Sequence, residues 1–336
     1  MYFNNMKNWD GTRVLVTGAD GFIGSHLAER LALDGAKVRA FCLYNSQGSL
    51  GWLDRIAREI RETMEVHLGD IRDGRFVQTA CEDVEVIFHL AALIAIPYSY
   101  LAPESFFETN VRGTLNVLEA GRRTGVRRIV QTSTSEVYGT PAILPIRETH
   151  PLNAQSPYAA SKVAADQMAL SYYLSFGTPV MVLRPFNTFG PRQSTRAVTA
   201  TILSQLLDGR KSVKLGRLDT RRDLTFVSDV VEGFVLAGMT PGVDGQVIQL
   251  GTGHAVSIGE LFSIACRLAG VDAEVELDSR RVRPGPSEVL VLQSDPSVAA
   301  SKLGWRPRVK LEEGLQQTVE WMRNNIGKYR PDFLYA

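Results

Sequence analysis

A glycine-rich segment separates a short apolar run from a helical pattern near the start of the chain. The run Arg13–Thr17 is rich in β-branched residues, and the apolar spacing over Phe22–Leu33 is that of a helix. Between them, Gly18, Gly21 and Gly24 form a GxxGxxG pattern. Glycines at this spacing allow a tight turn and let helix amides approach a pyrophosphate closely. The segment therefore predicts a dinucleotide-binding turn between a first strand and a first helix.

The alternation of short apolar runs with helical patterns continues through the first half of the chain. Strands are predicted at residues 13–17, 37–43, 64–68, 84–90, 128–132 and 179–183. Strands that alternate with helices favour a parallel sheet with helices on both faces. We therefore predict an α/β fold with a Rossmann-type, doubly wound parallel sheet.

The later part of the chain mixes helical stretches with short extended pieces and turns. The helical stretches are predicted at residues 197–207, 227–238 and 257–268. No internal repeat or low-complexity linker separates this part from the first, so the two are expected to interleave. We predict an NAD(P)-binding domain over residues 1–185, to which segments near 222–252 return. A smaller mixed α/β lobe over residues 186–336 is expected to bind most of the substrate.

Charge and composition argue against several classes of partner. The 336 residues carry a formal net charge of +1 without a long run of like charges, so nucleic-acid binding has no electrostatic source. No apolar run approaches the roughly 20 residues that cross a bilayer, and the N-terminal MYFNNMKNWDG lacks the core of a signal peptide. Cys42, Cys81 and Cys266 are far apart and, like the histidines, show no metal-binding spacing. We predict a cytoplasmic enzyme without metal, nucleic-acid or membrane partners.

A second constellation is a YxxxK pattern formed by Tyr158 and Lys162 inside a predicted helix. Residues four apart share a helix face, so the ammonium of Lys162 can favour the ionised form of the Tyr158 phenol. An unperturbed tyrosine has a pKa of about 10, so a base that works near neutrality also needs help from the positive ring of a nicotinamide cofactor. Because the pattern follows the glycine turn and Thr134, it predicts a catalytic pair.

The segment after the second predicted strand bears on the choice of cofactor. NAD sites often carry an acidic residue there for the adenosine ribose, whereas this chain has Cys42, Leu43, Tyr44 and Asn45. No arginine suited to a 2′-phosphate is present at this place either. NAD is therefore the favoured cofactor, and NADP stays open.

Taken together, these motifs resemble the extended short-chain dehydrogenase/reductase family. The matching segments run in family order as GADGFIG at 18–24, GDIRD at 69–73, HLAA at 89–92, STSEVYG at 133–139, YAASK at 158–162 and RPFNTFGPRQ at 184–193. The resemblance covers nearly the whole chain and implies an enzyme that acts on a nucleotide-linked sugar. It also implies a homodimer, in which helices near 104–123 and 157–176 pair with their copies.

The resemblance assigns roles to individual residues. It implies a catalytic set of Thr134, Ser135, Glu136, Tyr158 and Lys162. It implies that the cofactor contacts are Gly18, Asp20, Gly21, Phe22, Ile23, Gly24, Asp70, Ile71, Leu90, Ala91, Ala92, Tyr158 and Lys162. Tyr98 is an expected substrate contact because it follows the fourth predicted strand, at the carboxyl edge where ligands of such sheets bind. The resemblance implies that Asn187, Arg192, Arg222 and Arg283 hold the nucleotide diphosphate. Arginine suits that task because its planar fork pairs bidentately with phosphate oxygens. We interpret Asp166, Asp229 and Glu288 as structural or surface charges, with the alternative that Glu288, which follows Arg283, meets the ribose or base of the nucleotide.

Glu136 decides which reaction the resemblance implies. In 4,6-dehydratases a glutamate at this position removes a proton, whereas the related 4-epimerases usually lack a carboxylate there. The implied sequence is oxidation at C4 with Tyr158 as base, removal of the C5 proton by Glu136, loss of the 6-hydroxyl as water, and return of the hydride to C6. Many 4,6-dehydratases have an aspartate acid where this chain has Ser135. The Thr-Ser-Glu form resembles GDP-mannose dehydratases and equally UDP-glucuronate decarboxylases.

Three further runs narrow the resemblance. Residues 92–100, 132–141 and 184–198 most resemble the 4,6-dehydratases of legionaminic acid biosynthesis, which act on nucleotide-linked N-acetylglucosamine. We therefore predict a dehydratase of UDP- or GDP-N-acetylglucosamine. The alternatives are a UDP-glucuronate decarboxylase, a nucleotide-sugar 4-epimerase and a non-catalytic NAD(P)-binding protein.

Overall fold

The computed structural model of the protein describes residues 9–331. Its strands are β1 (Arg13–Thr17), β2 (Lys37–Leu43), β3 (Glu65–Gly69), β4 (Val86–His89), β5 (Arg128–Thr132), β6 (Val180–Pro185), β7 (Asn187–Phe189), β8 (Ser212–Leu215), β9 (Arg221–Phe226), β10 (Val247–Leu250), β11 (Ala255–Ser257), β12 (Glu274–Leu277) and β13 (Val291–Leu292). Its α-helices are α1 (Phe22–Leu33), α2 (Arg58–Arg61), α3 (Gly74–Ala80), α4 (Ile96–Leu101), α5 (Pro103–Phe106), α6 (Gly113–Thr124), α7 (Pro157–Phe176), α8 (Val198–Leu207), α9 (Val227–Met239), α10 (Ile258–Ala269), α11 (Ser297–Leu303) and α12 (Leu311–Arg323).

Seven strands form a large sheet in the order β10-β6-β5-β4-β1-β2-β3. Every neighbouring pair in it is parallel. The chain winds in opposite directions from β1, so the switch point lies between β1 and β4, where ligands of such sheets bind. The predicted doubly wound sheet is confirmed, and each predicted strand is present with its ends moved by at most two residues.

Alternate residues of the central strands enter two separate cores. On β1, Val14 and Val16 belong to one apolar cluster and Leu15 to the other, because successive side chains of a strand point to opposite faces. The first core also contains Leu27 of α1 and Val230 of α9, while α3, α6 and α7 cover the second. Both faces are thus buried, which explains why these strands are almost continuously apolar.

The later part of the chain contributes to both the large sheet and two small ones. β9 pairs with β7, β11 and β13, and β8 pairs with β12. In contrast, β10 extends the large sheet beside β6, and α9 packs against α1. The two parts therefore interleave, although β9, at the start of the segment expected to return, belongs to a small sheet.

The structure does not test the predicted domain boundary or the predictions for the two chain ends. The domain boundary at residue 185 stays a prediction. Residues 1–8, for which no signal peptide is predicted, and residues 332–336 at the end of the predicted second lobe lie outside the described residues. From residue 9 to residue 331, no helix is both long enough and apolar enough to cross a membrane.

The helix predicted over residues 104–123 contains a π-helical turn in the structure. A π-helical turn, Phe107–Arg112, separates α5 from α6. It holds the buried carboxamide of Asn110, whose oxygen accepts from the Leu93 amide at 2.8 Å and whose nitrogen donates to the Leu93 carbonyl and to Ser161 Oγ, each at 2.9 Å. The predicted helix is therefore present, with one extra residue admitted by the π-helical turn. Asn110 fixes the loop that follows β4.

Candidate active site

The glycine turn lies at the carboxyl end of β1, beside the loop that follows β4. Gly18 has a φ of +70°, and a Cβ there would lie 2.9 Å from the amide nitrogen of Ala91. A Cβ on Gly24 would overlap the carbonyl oxygen of Gly18. Gly21, which precedes α1, has no side chain with which to cap the first helical amides. The turn thus offers space and free amide donors to an anion, and these residues fit the pyrophosphate of a dinucleotide.

The structure gathers the predicted cofactor residues at the ends of three strands. Gly18, Asp20, Gly21, Phe22, Ile23 and Gly24 follow β1, Leu90, Ala91 and Ala92 follow β4, and Asp70 and Ile71 follow β3. Asp20 also ties the loop after β2 to the turn, because its carbonyl accepts from the Trp52 amide at 3.0 Å and its carboxylate from the Leu43 amide at 3.4 Å. The Asp70 carboxylate is paired with Arg72, which holds the pKa of Asp70 below its usual range.

Thr17 organises the same edge and was missed by the sequence analysis. Its hydroxyl accepts hydrogen bonds from the amides of Leu90 and Ala91, each at 3.1 Å. It also forms a 2.7 Å hydrogen bond with Nδ1 of the buried His89. A threonine that ends an otherwise apolar strand is the signal that could have identified this link between β1 and β4.

The catalytic candidates come from the end of β5 and the first turns of α7. Thr134 follows β5, and its hydroxyl accepts from the Glu136 amide at 3.3 Å. Ser156 caps α7, with its Oγ accepting from the Ala159 amide at 3.1 Å. That cap fixes the first turn, which carries Tyr158, and the Thr134 side chain lies near enough to lower the pKa of the Tyr158 phenol.

Lys162 completes this group. Its Nζ donates to the carbonyl of Thr132 at 2.6 Å, so the ammonium lies at the end of β5. Burial lowers the pKa of Lys162 to about 8, and the charge of Asp166 opposes that fall. Burial raises the pKa of the Tyr158 phenol, while the hydrogen bond with Thr134 lowers it. The group therefore holds a buried ammonium and a buried phenol one helical turn apart.

Two arginines and two glutamates form a second group. Nη1 of Arg283 lies 3.5 Å from Oε2 of Glu136, and Nη2 of Arg222 lies 3.7 Å from Oε1 of Glu288. Burial lowers the pKa of Arg222, and the negative charge of Glu136 raises it. The two ion pairs are therefore close enough to interact electrostatically. Glu288, interpreted from sequence as a structural or surface charge, belongs to this buried group.

Two further predicted substrate residues, Tyr98 and Asn187, lie in different surroundings. Tyr98 on α4 is 40 % exposed, and its ring lies 5.9 Å from that of Phe106, which in turn lies 6.1 Å from the ring of Tyr158. Asn187 begins β7, and its buried Oδ1 has no hydrogen-bond partner within the described residues.

The structure does not bring Arg192 to the arginine–glutamate group. Its guanidinium donates to Glu29 at 2.6 Å and to Ser25 Oγ at 3.4 Å, both on α1. Its backbone also has a φ of +69°, a left-handed conformation that is uncommon for residues other than glycine. Arg192 therefore lies apart from Arg222 and Arg283 and pairs with Glu29, and its role at the diphosphate stays a prediction.

Short-chain dehydrogenases/reductases typically have a glycine turn at the switch point and a tyrosine–lysine pair on one helix. Known proteins that are similar to this chain identify its family. Residues 15–318 match the family model for GDP-mannose 4,6 dehydratase. A UDP-glucose 4-epimerase of Mycolicibacterium smegmatis is 37% identical over 93% of this chain and 99% of its own length. A dTDP-glucose 4,6-dehydratase of Streptomyces antibioticus is 33% identical over 95% and 94%. UDP-glucuronic acid decarboxylase 1 of Xenopus tropicalis is 31% identical over 94% and 73%.

The fold comparison agrees with the sequence comparison. A dTDP-glucose 4,6-dehydratase of Streptomyces venezuelae, solved with NAD bound, superposes with a TM-score of 0.83 at 30% identity and covers 95% of this chain and 99% of that one. The chain therefore belongs to the extended short-chain dehydrogenase/reductase family of NAD-dependent nucleotide-sugar enzymes, which includes 4,6-dehydratases, 4-epimerases and decarboxylases.

Proposed function

We propose that this chain is an NAD-dependent 4,6-dehydratase of nucleotide-linked N-acetylglucosamine, of the kind used in legionaminic acid biosynthesis. The observation that carries the proposal is the carboxylate of Glu136. It lies in the turn that begins at Thr134, its charge acts on the phenol of Tyr158, and its side chain is 10 % exposed. Simple oxidation and reduction at C4 needs no such base, whereas removal of a C5 proton does.

The first step uses Tyr158 as the base for the sugar 4-hydroxyl. The Thr134 hydroxyl and the ammonium of Lys162 both favour the phenolate. When bound, NAD would supply the hydride acceptor for C4 and the hydride donor for C6, and its positively charged ring would favour the phenolate. Tyr158 thus keeps the hydroxyl proton while the C4 carbon becomes a ketone.

The second step uses Glu136. The C4 ketone makes the C5 proton acidic, and Glu136 removes it as the 6-hydroxyl leaves as water. Ser135 beside it is buried and neutral, so a carboxylic acid formed on Glu136 is the proton donor that the turn itself supplies. The glutamate therefore takes a proton from C5 and then gives one to the leaving hydroxyl. After hydride return to C6, the proton that Tyr158 took from the 4-hydroxyl replaces the one lost from C5, by exchange through water, so both residues return to their starting states.

The arginine group supports the binding of a nucleotide diphosphate. Arg222 and Arg283 carry two positive charges within reach of Glu136. A diphosphate is a stronger partner for Arg283 than Glu136, because it carries more negative charge and can accept two parallel hydrogen bonds where Glu136 makes one contact at 3.5 Å. Substrate binding would therefore draw Arg283 from Glu136 and leave that carboxylate free to act as a base.

The test is the mass of the product that Glu136→Gln makes. Purified protein is incubated with UDP- and GDP-N-acetylglucosamine, with UDP-glucuronate alongside. The wild type should release one water from one N-acetylglucosamine nucleotide. Glu136→Gln should lose at least about a hundredfold in water release, the size of a general-base contribution, while the nicotinamide absorbance still reports C4 oxidation.

Glu288→Gln is the matched control, because it removes the other glutamate of the same group. It should alter KM and leave the ratio of water release to oxidation unchanged. Water release by Glu136→Gln at the wild-type rate would defeat the proposal. The 37% identity to a 4-epimerase supports a second candidate, which a new epimer without a mass change would establish, whereas loss of carbon dioxide from UDP-glucuronate would indicate a decarboxylase.

We also propose a homodimer through α6 and α7. Leu174 and Phe176 at the end of α7 are 80 % and 58 % exposed. Such residues on the predicted pair of helices provide an apolar surface for a second copy. Light scattering should give the mass of two chains at micromolar concentration, and the mass of one chain would refute the proposal.

A further inference from the structure

A buried carboxylate lies directly behind the catalytic group. Asp166 stands one helical turn after Lys162 on α7 and is 0 % exposed. Its Oδ2 accepts from Nε and Nη2 of Arg184 at 3.1 and 2.8 Å, and from Oγ of Ser133 at 2.6 Å. Because Arg184 lies on β6 and Ser133 follows β5, one carboxylate joins α7 to two strands of the large sheet.

Ser133 stands between the two groups that hold the catalytic pair. On one side, the carbonyl of Thr132 accepts the 2.6 Å hydrogen bond from Lys162. On the other side, Thr134 lies near the Tyr158 phenol and lowers its pKa. Since both anchors are chain neighbours of Ser133, a group that fixes Ser133 fixes them both.

Only one of the two carboxylate oxygens of Asp166 accepts hydrogen bonds from the described residues. All three donors use Oδ2, and the buried Oδ1 has no hydrogen-bond partner within residues 9–331. Its negative charge therefore also acts on its surroundings, where it raises the pKa of Lys162 against the effect of burial. A purely structural ion pair would give little net stability in return for this burial.

Other charges around the pair do not replace Asp166. The titratable and charged groups that face Lys162 or its partners are Tyr158 and Asp166 on α7, His89 on β4, Arg184 on β6 and Glu136 in the turn after β5. Burial lowers the pKa of His89 to about 3, so that ring is neutral. Arg184 is itself held by Asp166 and by the hydroxyl of Tyr138 at 3.0 Å.

We propose that Asp166 is a positioning residue for the catalytic pair, holding Thr132 and Thr134 through Ser133 and retaining the ammonium of Lys162 beside the Tyr158 phenol. The proposal rests on Tyr158 and Lys162 being the reacting pair, as in the proposed function. It does not depend on which sugar is bound, because C4 oxidation comes first in each of the alternative reactions.

The first test is the pH profile of Asp166→Asn, with UDP-N-acetylglucosamine as probe and nicotinamide absorbance as readout of C4 oxidation. Removing this negative charge lowers the pKa of both Lys162 and Tyr158, so both limbs of the kcat/KM profile should move to lower pH by about one unit. A structural role alone would reduce the amount of folded protein and leave the limbs in place. Unmoved limbs in folded Asp166→Asn would overturn the proposal.

Ser133→Ala tests whether Ser133 links Asp166 to the catalytic pair, and it keeps the Asp166–Arg184 ion pair. Its kcat should fall about ten- to a hundredfold, the effect of a small misplacement of reacting groups, while NAD affinity and both pH limbs stay as in the wild type. An unchanged kcat would overturn the role of Ser133 as the link. This variant also decides the matter should Asp166→Asn fail to fold.

A measurement without substrate separates this proposal from the proposed function. If the wild type oxidises none of the nucleotide sugars, the proposed function fails, and the Tyr158 titration still tests Asp166. Phenolate absorbance is then followed with NAD present, and the signal of Tyr158 is taken as the difference from Tyr158→Phe. Ionisation at lower pH in the Asp166→Asn background supports the proposal, and an unmoved titration contradicts it.

Discussion

The two halves of the candidate site present charge to their ligands in different ways. Around the glycine turn, the groups available to an anion are backbone amides within residues 18–24, and missing side chains create the space. Around Arg222 and Arg283, the groups are guanidiniums already paired with glutamates that are far away in the chain. The first half depends on the local path of the backbone, whereas the second depends on the whole fold. Substitutions should therefore affect them through different quantities.

Gly24→Ala should have the largest effect, and it should be confined to the backbone half. The added Cβ would overlap the carbonyl oxygen of Gly18, and backbone cannot give way without opening the turn. We expect NAD to bind about a hundredfold more weakly, the upper range for such overpacking, as measured by calorimetric titration. Gly285→Ala is the control, since its Cβ would meet nothing within 4 Å. Unchanged NAD affinity in Gly24→Ala would remove the basis of the comparison.

Arg283→Met should impair the arginine half of the site and leave the glycine turn intact. It removes a diphosphate donor and leaves the buried Glu136 without its partner, so KM for the nucleotide sugar should rise about ten- to a hundredfold, the value of a charged hydrogen bond. NAD affinity should stay unchanged. Arg280→Met serves as control, because that arginine is mostly exposed and pairs with Asp278. A parallel loss of NAD affinity would show that the two halves are not independent.

How well the sequence predicts each half follows from the same difference. The glycine turn and the Tyr158–Lys162 pair are local patterns, so residue spacing alone identifies them. Arg192 lies within a family motif, yet the fold pairs it with Glu29, and no spacing reveals a pairing across 163 positions. The same holds for Asp166, whose partners come from β5 and β6.

Asn110 shows a second limit of sequence patterns. The apolar spacing over residues 104–123 predicts a regular helix, because one extra residue in a π-helical turn hardly alters the period over a short segment. Only the fold shows that this turn carries a carboxamide into the interior between the loop after β4 and α7.

The pH dependence of C4 oxidation should show the ionisation of Lys162. The pKa of Lys162 falls from 10.5 to about 8 through burial. Below that pH the lysine is protonated and supports the phenolate, and above it the charge is lost, so kcat/KM should fall up to tenfold per pH unit on the alkaline side. Lys162→Met should be slow at every pH and lack this limb. A limb that persists in Lys162→Met would assign it to another group.

Asn110→Ala should have the smallest effect, because this residue lies between the two halves and belongs to neither. The substitution leaves the amide and carbonyl of Leu93 without their buried partner, which should lower the free energy of unfolding by about 1–3 kcal/mol in urea titration. NAD affinity and nucleotide-sugar KM should each change by less than about threefold, since an unpaired loop group weakens both halves slightly and equally. A loss confined to one half would place the loop after β4 in that half, and the comparison would then need three regions instead of two.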